Sequence, residues 1–593
     1  MTTAKKGKGS FSCSRCCHLE SNTIHFAGNA TETCPNVGGH YGSQHQCESR
    51  AREYCELQRF LQFAIRNSQF PLIYTPDPEF PIYHCEMSTK PQTSFAFEDP
   101  DDYGRLRDVF ARADYSTSGV LKAIGKKVGT GQGDRQLMIR QCANRSPIST
   151  LIRLFVASAP VDAQDFREAI APMNLESWLK AGMVGHKENQ VLPLIKMIPL
   201  DPFVIAHDIF DSPNLSSDFV MGVGASTETL VKFMINRRSR LALDMGSGSG
   251  ILGLFKSLSA DRVILSDRNS RAIRFADFNI RINNLPNVEC REGDLFEPVK
   301  NLKFDYIVSN APFVITPSSG YLFLDGGSQG DQFIQRFIRG AAELLNEGGY
   351  CQFLCNWAHF KNQNWVERLG GWFQGIGCDA WALHGETLDP SAYTSTWIGH
   401  FESKESPNYG RLYNEWMDYY TREQIEAMSM GYITMRKSSG KQNWFHVDED
   451  PFRKSGDLGE SIIRFFGARD FLRTVENNDA FLRVVLKPDP ELRLDVECQQ
   501  SDGIWSPVSR VLRLDTGLGF DAKSDGLGCD FIARCDGTLS VGQVLQELAA
   551  RSPIPQEQVV QAGLYVVRHF VERGFLRPVE LPEKVSSGSV SQP

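Results

Sequence analysis

The 593-residue sequence has no long hydrophobic run, no excess of positive charge and no leader-like start. No stretch approaches the roughly 18 consecutive apolar residues that a membrane-spanning helix needs, so we expect a soluble protein without a membrane partner. The 63 basic and 71 acidic residues give a net charge of −8, which argues against wrapping nucleic acid by bulk charge but leaves a local basic groove open. Because no charged segment followed by an apolar one begins the chain, we predict a cytoplasmic location.

Length and patterning predict several domains, because the chain is several times the usual domain size of about 100 to 200 residues. Short amphipathic helices, then a helix and two strands, predict a helical, winged-helix-like domain over 87–215. Apolar runs that alternate with helical patterns predict a parallel sheet flanked by helices over 216–437. Mixed strands followed by two helices and a strand predict an α+β domain with a winged-helix-like end over 438–593.

Two capping boxes are predicted near the end of this pattern, because a Ser or Thr followed three residues later by Gln or Glu is typical of a helix start. Thr421 and Gln424 predict a short helix inside the domain over 216–437, and Ser540 and Gln543 predict one near the C-terminus.

Cysteine and histidine are concentrated in 1–86, a polar segment without a sustained helical or strand period. One interpretation is a tetrahedral zinc site, although the spacings fit no finger pattern closely. The other is a poorly ordered extension, with Met87 as a plausible start of the native chain. We adopt the second interpretation and predict no metal. The residues concerned are Cys13, Cys16, Cys17, His18, His25, Cys34, His40, His45, Cys47 and Cys55.

A glycine-rich loop follows the predicted strand in "LALDMGSGSG", residues 241–250. Its glycines let the backbone turn tightly and approach a ligand. The dinucleotide fingerprint G-x-G-x-x-G would place its third glycine at position 251, which is isoleucine. The carboxylate of Asp244 would repel a pyrophosphate but could accept hydrogen bonds from a ligand ammonium. The loop therefore favours S-adenosyl-L-methionine over NAD as the cofactor.

Acidic residues also end the next two predicted strands. Asp267 ends "RVILSD", where a carboxylate can accept the two ribose hydroxyls. Asp294 is expected to take the adenine amino group, with Leu295 over the ring face. Helix capping is the alternative interpretation of each acid, and for Asp294 it is about equally good. The residues predicted to bind the cofactor are Asp244, Gly246, Ser247, Gly248, Gly250, Asp267, Arg268, Asp294, Leu295 and Asn310.

The fourth predicted strand, in "FDYIVSNAPF", runs into a tetrapeptide of unusual composition, Asn310 to Phe313. Asn310 offers a side-chain carbonyl and Ala311 a backbone carbonyl as acceptors, and Pro312 biases residue 311 towards an extended conformation that presents it. Phe313 supplies a flat face on which a planar amide or base can stack. We therefore predict that these four residues are catalytic and receive a planar NH2 group. A turn after a strand plus a core phenylalanine is the structural alternative.

Five motifs, in order, resemble those of small-domain Rossmann-like methyltransferases, especially the release factor glutamine methyltransferases: "LDMGSGSGILGL", "SDRNSRAIRFADFN", "EGDLFEPV", "FDYIVSNAPF" and "LFLDGGSQGDQFIQRFIRGAAELLNEGG". The resemblance covers about 216–360 and implies this fold and S-adenosyl-L-methionine. It also implies that Asn310 and the carbonyl of residue 311 bind the substrate amide while Phe313 packs on it. The family's tetrapeptide is usually Asn-Pro-Pro followed by Tyr or Phe, so Ala311 departs from it. The segment 218–230 resembles the stretch that closes over the cofactor, and a capped helix start is its alternative.

Together these patterns predict an α/β protein whose doubly wound Rossmann-like sheet is flanked by a winged-helix-like domain and an α+β extension. The predicted activity is S-adenosyl-L-methionine-dependent N-methylation, with a protein glutamine side chain as first choice of substrate. The alternative is an exocyclic amine of guanine (N2) or adenine (N6) in RNA or DNA, because related enzymes use a similar tetrapeptide. A non-catalytic S-adenosyl-L-methionine-binding scaffold is the rival from another class.

Overall fold

The computed structural model describes residues 95–125, 132–210, 216–310, 312–317, 330–440, 442–451 and 454–579. The Cys/His-rich segment 1–86, with both of its interpretations, lies outside these ranges, and so does Ala311. No helix in the described ranges has the length and apolar character that crossing a bilayer requires.

The first part of the described chain is helical, with two small antiparallel sheets. β1 pairs with β3 and β3 with β2, and β4 and β5 form a separate hairpin. Its elements are α1 (Asp102–Arg112), α2 (Thr117–Ile124), α3 (Gln132–Gln141), α4 (Pro147–Leu151), a π-helical turn (Ile152–Val156), β1 (Val161–Asp162), α5 (Ala163–Ile170), α6 (Leu175–Lys180), β2 (Val184–Lys187), β3 (Gln190–Pro193), β4 (Ile195–Leu200) and β5 (Phe203–Asp208).

Local sequence sets the bounds of these elements. Asp162 caps α5 by accepting the backbone N–H groups of Gln164 and Asp165, and Asn174 caps α6 in the same way through Ser177. The fully buried Trp178 of α6 holds this part together by packing its indole against three phenylalanine rings.

In the described residues, eight strands form one large sheet in the order β13-β11-β12-β10-β9-β6-β7-β8. β12 is antiparallel to both of its neighbours, and the other pairs are parallel. The strands are β6 (Ser239–Met245), β7 (Ala260–Asp267), β8 (Val288–Glu292), β9 (Phe304–Ser309), β10 (Leu345–Phe360), β11 (Cys378–Leu388), β12 (Ile425–Lys437) and β13 (Phe445–Glu449). The predicted α/β sheet with parallel strands is confirmed, but the sheet is mixed, because β12 runs antiparallel to β10 and β11.

The order of the strands contains one reversal that matters for binding. From β6 the chain adds β7 and β8 on one side, and then returns to place β9 and β10 on the other side of β6. In open α/β sheets ligands bind in the crevice that such a switch point leaves at the carboxyl ends of the strands. The helices that connect these strands are α7 (Ala225–Phe233), α8 (Ile251–Lys256), α9 (Ser270–Ile282), α10 (Gln332–Leu344) and α11 (Trp365–Gly371).

Helices inserted between β11 and β12 and a C-terminal region complete the described chain. The insertion consists of α12 (Pro390–Ile398) and α13 (Pro407–Arg422). The C-terminal elements are α14 (Leu458–Thr474), α15 (Asn478–Leu482), β14 (Leu486–Pro488), β15 (Leu492–Ser501), β16 (Ile504–Leu514), β17 (Asp521–Lys523), α16 (Gly526–Arg534), α17 (Val541–Arg551), α18 (Gln556–Glu572) and β18 (Leu576–Pro578). The domain boundaries drawn from the sequence stay predictions.

Both flanking regions pack on the large sheet through aromatic side chains. Phe95, ahead of α1, stacks on Phe275 of α9 at 4.4 Å between ring centroids. Phe465 of α14 stacks on Trp381 of β11 at 3.7 Å, with the rings 12° from parallel. Arg436 of β12 forms ion pairs with Asp379 of β11 and with an aspartate of α14. The sheet, its inserted helices and the flanking regions thus share continuous contacts within the described chain.

Candidate cofactor and substrate site

The sheet register brings the glycine loop and the tetrapeptide together. Met245 of β6 lies opposite Ser309 of β9, so that Gly246 and Asn310 leave the sheet side by side at its carboxyl edge. This edge is the switch point between β6 and β9. The two segments singled out from the sequence, some sixty residues apart in the chain, therefore border the same crevice.

The glycine loop turns through three residues with positive φ, at Gly246, Gly248 and Gly250. Gly250 is the left-handed N-cap of α8, where an added Cβ would lie 2.8 Å from a methyl of Leu265. At Gly248 an added Cβ would meet no heavy atom within 4 Å in the described structure. The loop is thus close-packed where the helix begins and open at Gly248, as a backbone that approaches a ligand requires.

Asp244 ends β6 beneath this loop and is only 1% exposed. One carboxylate oxygen accepts the N–H of Gly253 at 2.8 Å, whereas Oδ1 is buried without a hydrogen-bond partner in the described structure. Burial raises the pKa of Asp244 to about 7, and the negative charge of Asp267 adds to the shift. A buried acceptor without a donor is costly, so Oδ1 is suited to a cationic donor from a ligand.

Asp267 connects the end of β7 to the glycine loop. Its Oδ2 accepts the N–H of Gly248 at 2.8 Å, and its Oδ1 accepts the N–H of Asn269 at 2.9 Å. Burial raises its pKa, and these backbone hydrogen bonds oppose that shift. Each oxygen keeps a second lone pair, so the carboxylate can fix the loop and still accept ligand hydroxyls. The exposed Arg268 follows it in the chain.

The turn after β8 carries the remaining predicted contacts. Gly293 donates its N–H to the carbonyl of Asp267 at 3.0 Å, which holds this turn beside the end of β7. Asp294 is exposed, and Leu295, at φ +46°, is partly buried against the core beneath it. Ser247, in the glycine loop, has a buried hydroxyl without a hydrogen-bond partner among the described residues. The acids of the three strand ends thus lie along one edge of the sheet.

The Asn310 side chain is held by hydroxyl groups at the start of α7. Its Nδ2 donates to Ser226 Oγ at 3.1 Å and to Thr227 Oγ1 at 3.3 Å. Its Oδ1 is buried and has no hydrogen-bond partner in the described structure. The amide therefore keeps one unsatisfied acceptor beside the glycine loop. The sequence pattern indicates the segment around Ser226 only as a cover for the cofactor and does not predict this contact.

An aromatic wall follows the tetrapeptide. The Phe313 ring, which is partly buried, meets Trp397 of α12 edge to face at 5.7 Å. Two residues on, Ile315 donates its N–H to Tyr393 Oη at 3.0 Å and accepts from Tyr420 Oη at 2.7 Å. The inserted helices therefore fix the chain just beyond Phe313, a role that the sequence pattern did not indicate.

Comparison with known proteins identifies this part of the chain. Residues 220–371 match the family model Methyltransferase small domain. They form a methyltransferase small domain. Domains of this kind use S-adenosyl-L-methionine as the cofactor, so the predicted cofactor and enzyme class, an S-adenosyl-L-methionine-dependent methyltransferase, are confirmed for this domain. The flanking regions match two families described as domains of unknown function, DUF7059 over 112–194 and DUF7782 over 463–578.

Curated relatives of the methyltransferase domain are similar over about a fifth to a quarter of this chain. A putative protein N5-glutamine methyltransferase from Methanocaldococcus jannaschii is 32% identical over 132 residues, which are 21% of this chain and 66% of that protein. The release factor glutamine methyltransferase of Geobacter sulfurreducens is 34% identical over 139 residues, 21% of this chain and 49% of that protein. The release factor glutamine methyltransferase of Aliivibrio fischeri is 30% identical over 163 residues, which are 25% of this chain and 53% of that protein. This chain spans between about half and two thirds of the length of these relatives.

Among solved structures, a tRNA m1G37 methyltransferase from M. jannaschii is similar at 14% identity, over 42% of this chain and 57% of that one, with a TM-score of 0.24. A similarity of that strength does not bear on substrate or fold.

The residues of the methyltransferase domain suit its cofactor. The unpartnered Oδ1 of Asp244 matches a ligand ammonium, and the open space above Gly248 leaves room for a ligand next to the backbone. The unpartnered carbonyl of Asn310 lies beside the loop, on the neighbouring strand end, where it can serve a second molecule. The donor and acceptor pattern thus fits a cationic cofactor on one side and a hydrogen-bond donor on the other.

Proposed function

We propose that this protein transfers a methyl group from S-adenosyl-L-methionine to the nitrogen of a planar NH2 group, and that a glutamine side chain of a protein is the substrate. The proposal depends above all on the buried, unpartnered carbonyl of Asn310 beside the glycine loop. The names of the curated relatives, which specify glutamine, also support it.

The proposed chemistry assigns simple roles to the residues of the crevice. Bound S-adenosyl-L-methionine supplies an electrophilic methyl group carried on its sulfonium. On the cofactor side, Asp244 would accept from the ammonium, Asp267 from the ribose hydroxyls and the turn at Asp294 and Leu295 would take the adenine. Arg268 and the loop residues Gly246, Ser247, Gly248 and Gly250 would line the same side.

The substrate side has to activate a poor nucleophile, because the lone pair of an amide nitrogen is delocalised. Asn310 Oδ1 would accept one substrate N–H and so stabilise the positive charge that develops on nitrogen as it is alkylated. The carbonyl of residue 311, outside the described residues, is the second proposed acceptor, and Pro312 would orient it. Phe313 would pack on the planar group and hold it in line. The substituted nitrogen then loses a proton to water.

The flanking regions would select the substrate. In the first region β1 falls between α4 and α5, and α6 is followed by the β2–β3 hairpin, which is the element order of a winged helix. In the last region α17 and α18 precede β18, which pairs with β14. We assign both regions to substrate recognition, as winged-helix-like units, in a protein of the cytoplasm.

An exocyclic amine of guanine or adenine is the second candidate substrate, because the paired rings of Phe313 and Trp397 could also stack on a base. Labelling separates the candidates. The purified protein is incubated with cell extract and methyl-labelled cofactor, and the label is then challenged with protease and with nuclease. Release by protease and a methylglutamine in the hydrolysate would support the first choice. Release by nuclease would favour the base, and cofactor binding without any labelled product would favour a scaffold.

The Asn310→Ala variant tests the carbonyl directly. We expect transfer to slow by about 100-fold or more while cofactor affinity stays within about three-fold, because the lost oxygen serves the substrate and its developing charge. Asn364→Ala, which removes an exposed cap of α11, is the matched control and should keep both quantities. Equal loss of affinity and rate in Asn310→Ala would contradict the assigned role.

A further inference from the structure

The start of α7 contacts both halves of the crevice. The side chains of Ser226 and Thr227 meet Asn310, and upstream in the same segment the carbonyl of Asp218 accepts from Asn269 Nδ2 at 2.9 Å. Asn269 in turn donates its N–H to the carboxylate of Asp267. One continuous stretch, 218–227, therefore links the acid at the end of β7 to the amide at the end of β9.

From these contacts we infer that Ser226 and Thr227 are positioning residues, which fix the amide of Asn310 with its carbonyl towards the substrate nitrogen. The inference rests on the proposed function, since it concerns how the acceptor for the substrate NH2 is oriented. It gives the hydroxyl groups of α7 a role in the rate of transfer, in addition to covering the cofactor.

The orientation matters because a side-chain amide has a donor end and an acceptor end of nearly the same shape. With Nδ2 on the two hydroxyls, Asn310 Oδ1 is left over, and it is the buried atom without a partner in the described structure. Rotated by half a turn, the amide would present its own NH2 to the substrate NH2. Two donors would then face each other, and the charge that develops on the substrate nitrogen would lose its acceptor.

The surroundings make these hydroxyls effective. Thr227 is 8% exposed, so water competes little for its Oγ1. Ser226 and Thr227 are adjacent in the first turn of α7, and both lie within 3.3 Å of the same nitrogen. In this structure both hydroxyl oxygens accept from Nδ2, and two partners fixed on one helix hold the amide more closely than either would alone.

The test compares the Ser226→Ala/Thr227→Val double variant with a control on the same helix. Thr229→Val removes a hydroxyl that donates to the carbonyl of Ala225, one turn earlier in α7, so it matches the substitution without removing a contact to Asn310. For each protein the measurements are kcat, KM, S-adenosylhomocysteine affinity by calorimetry, and the unfolding temperature. We expect the double variant to lose about 10-fold or more in kcat, with cofactor affinity and unfolding temperature close to wild type.

Rescue by the conservative variant separates positioning from a purely structural effect. Thr227→Ser keeps the hydroxyl and should retain most of kcat, whereas Thr227→Val alone should lower it while preserving the shape of the side chain. If the double variant does not fold, the comparison of kcat between Thr227→Ser and Thr227→Val tests the inference by itself. Equal kcat for Thr227→Ser and Thr227→Val, or a loss that appears only in cofactor affinity, would overturn the inference.

Failure of the inference and failure of the proposed function give different results. If Asn310→Ala abolishes transfer but the hydroxyl variants match wild type, the acceptor role stands and the positioning role is wrong. If the wild-type protein binds cofactor but transfers no methyl group to protein or nucleic acid, the proposed function itself is wrong, and the inference falls with it.

Discussion

With Asp244 as the proposed acceptor of the cofactor ammonium, cofactor binding should depend on pH to an extent that can be calculated. Burial raises its pKa to about 7, and Oδ1 has no partner in the described structure. A ligand ammonium at that oxygen stabilises the carboxylate, so binding has to displace the proton wherever the free protein is protonated. The carboxylate fraction falls from roughly 0.9 at pH 8 to roughly 0.1 at pH 6. We therefore expect cofactor affinity to weaken about ten-fold as the pH falls from 8 to 6.

The assay is calorimetric titration with S-adenosylhomocysteine, a non-reactive ligand that carries the same ammonium group. Titrations in buffers of different ionisation enthalpy count the protons released on binding. We expect about 0.9 proton per site at pH 6 and about 0.1 at pH 8. The Asp244→Asn variant is the control, because its amide keeps an acceptor for the Gly253 N–H but cannot ionise. Its affinity should be weaker than that of the wild type at pH 8 and nearly independent of pH.

Two results would refute this reasoning. A wild-type affinity that is flat between pH 6 and 8 would mean that no proton is displaced, and that the ammonium lies elsewhere. The same slope in wild type and Asp244→Asn would assign the titration to another group. His207 is not that group, because burial lowers its pKa to about 4, below this window.

Two further predictions concern stability. Gly253→Ala places a Cβ 2.0 Å from a methyl of Leu265 and should cost about 1–3 kcal/mol in the free energy of unfolding, measured by denaturant titration; a neutral Gly253→Ala would contradict the packing argument. His207 is buried with a pKa near 4, below its ordinary 6.5, so it contributes stability that is lost as the pH falls from 6.5 towards 4, by about 1.4 kcal/mol per unit. The raised pKa of Asp244 makes the protein more stable as the pH falls over much of that range, so it works against the effect of His207. The effect of His207 is therefore measured as the difference in the free energy of unfolding between wild type and His207→Gln. If that difference is the same at pH 7 and pH 5, the prediction is wrong.

The sheet could be predicted well because its central strands carry a single strong signal. The middle parts of β6, β7 and β9 are largely buried, so each strand carries a consecutive apolar run that stops at a polar residue, Asp244, Ser266 or Ser309. The glycine loop follows from the same logic, since positive φ at Gly246 and Gly248 leaves few other residue types possible. These features are local, and local sequence is sufficient to indicate them.

Capping signals had mixed value. The Ser540–Gln543 box is confirmed at the start of α17, with both of its hydrogen bonds formed. The box at Thr421 and Gln424 is wrong, because Thr421 lies in the last turn of α13, where its hydroxyl bonds the carbonyl of Met417, and β12 begins at Ile425. There, pairing with β10 overrides the short motif.

The contacts that orient Asn310 could not be predicted, because Ser226 and Thr227 are 84 and 83 residues away and nothing in either segment specifies the other. Only the packing of α7 against the sheet brings them together. The same holds for the wall beyond Phe313, where Tyr393 and Tyr420 hold Ile315 from helices that follow it by 78 and 105 residues. Long-range placement of polar groups depends on the whole fold, whereas the residue types at a strand end depend on the strand alone.

The crevice therefore has two parts, one formed by residues at the strand ends and one formed by long-range contacts of the inserted helices. The sequence of one part can change without altering the other. The proposed cofactor side consists of backbone N–H groups and short acids at or just after the ends of β6, β7 and β8, which the parallel register holds next to one another. The wall beyond Phe313 depends on α12 and α13, an insertion between β11 and β12 that can alter without disturbing that register. Substitutions of Trp397 should therefore change substrate preference more than cofactor affinity, because its ring contacts Phe313 at the end of the tetrapeptide. A Trp397→Leu variant with normal S-adenosylhomocysteine binding and an altered labelling pattern would support this division, whereas a parallel loss of cofactor affinity would show that the two parts are mechanically coupled.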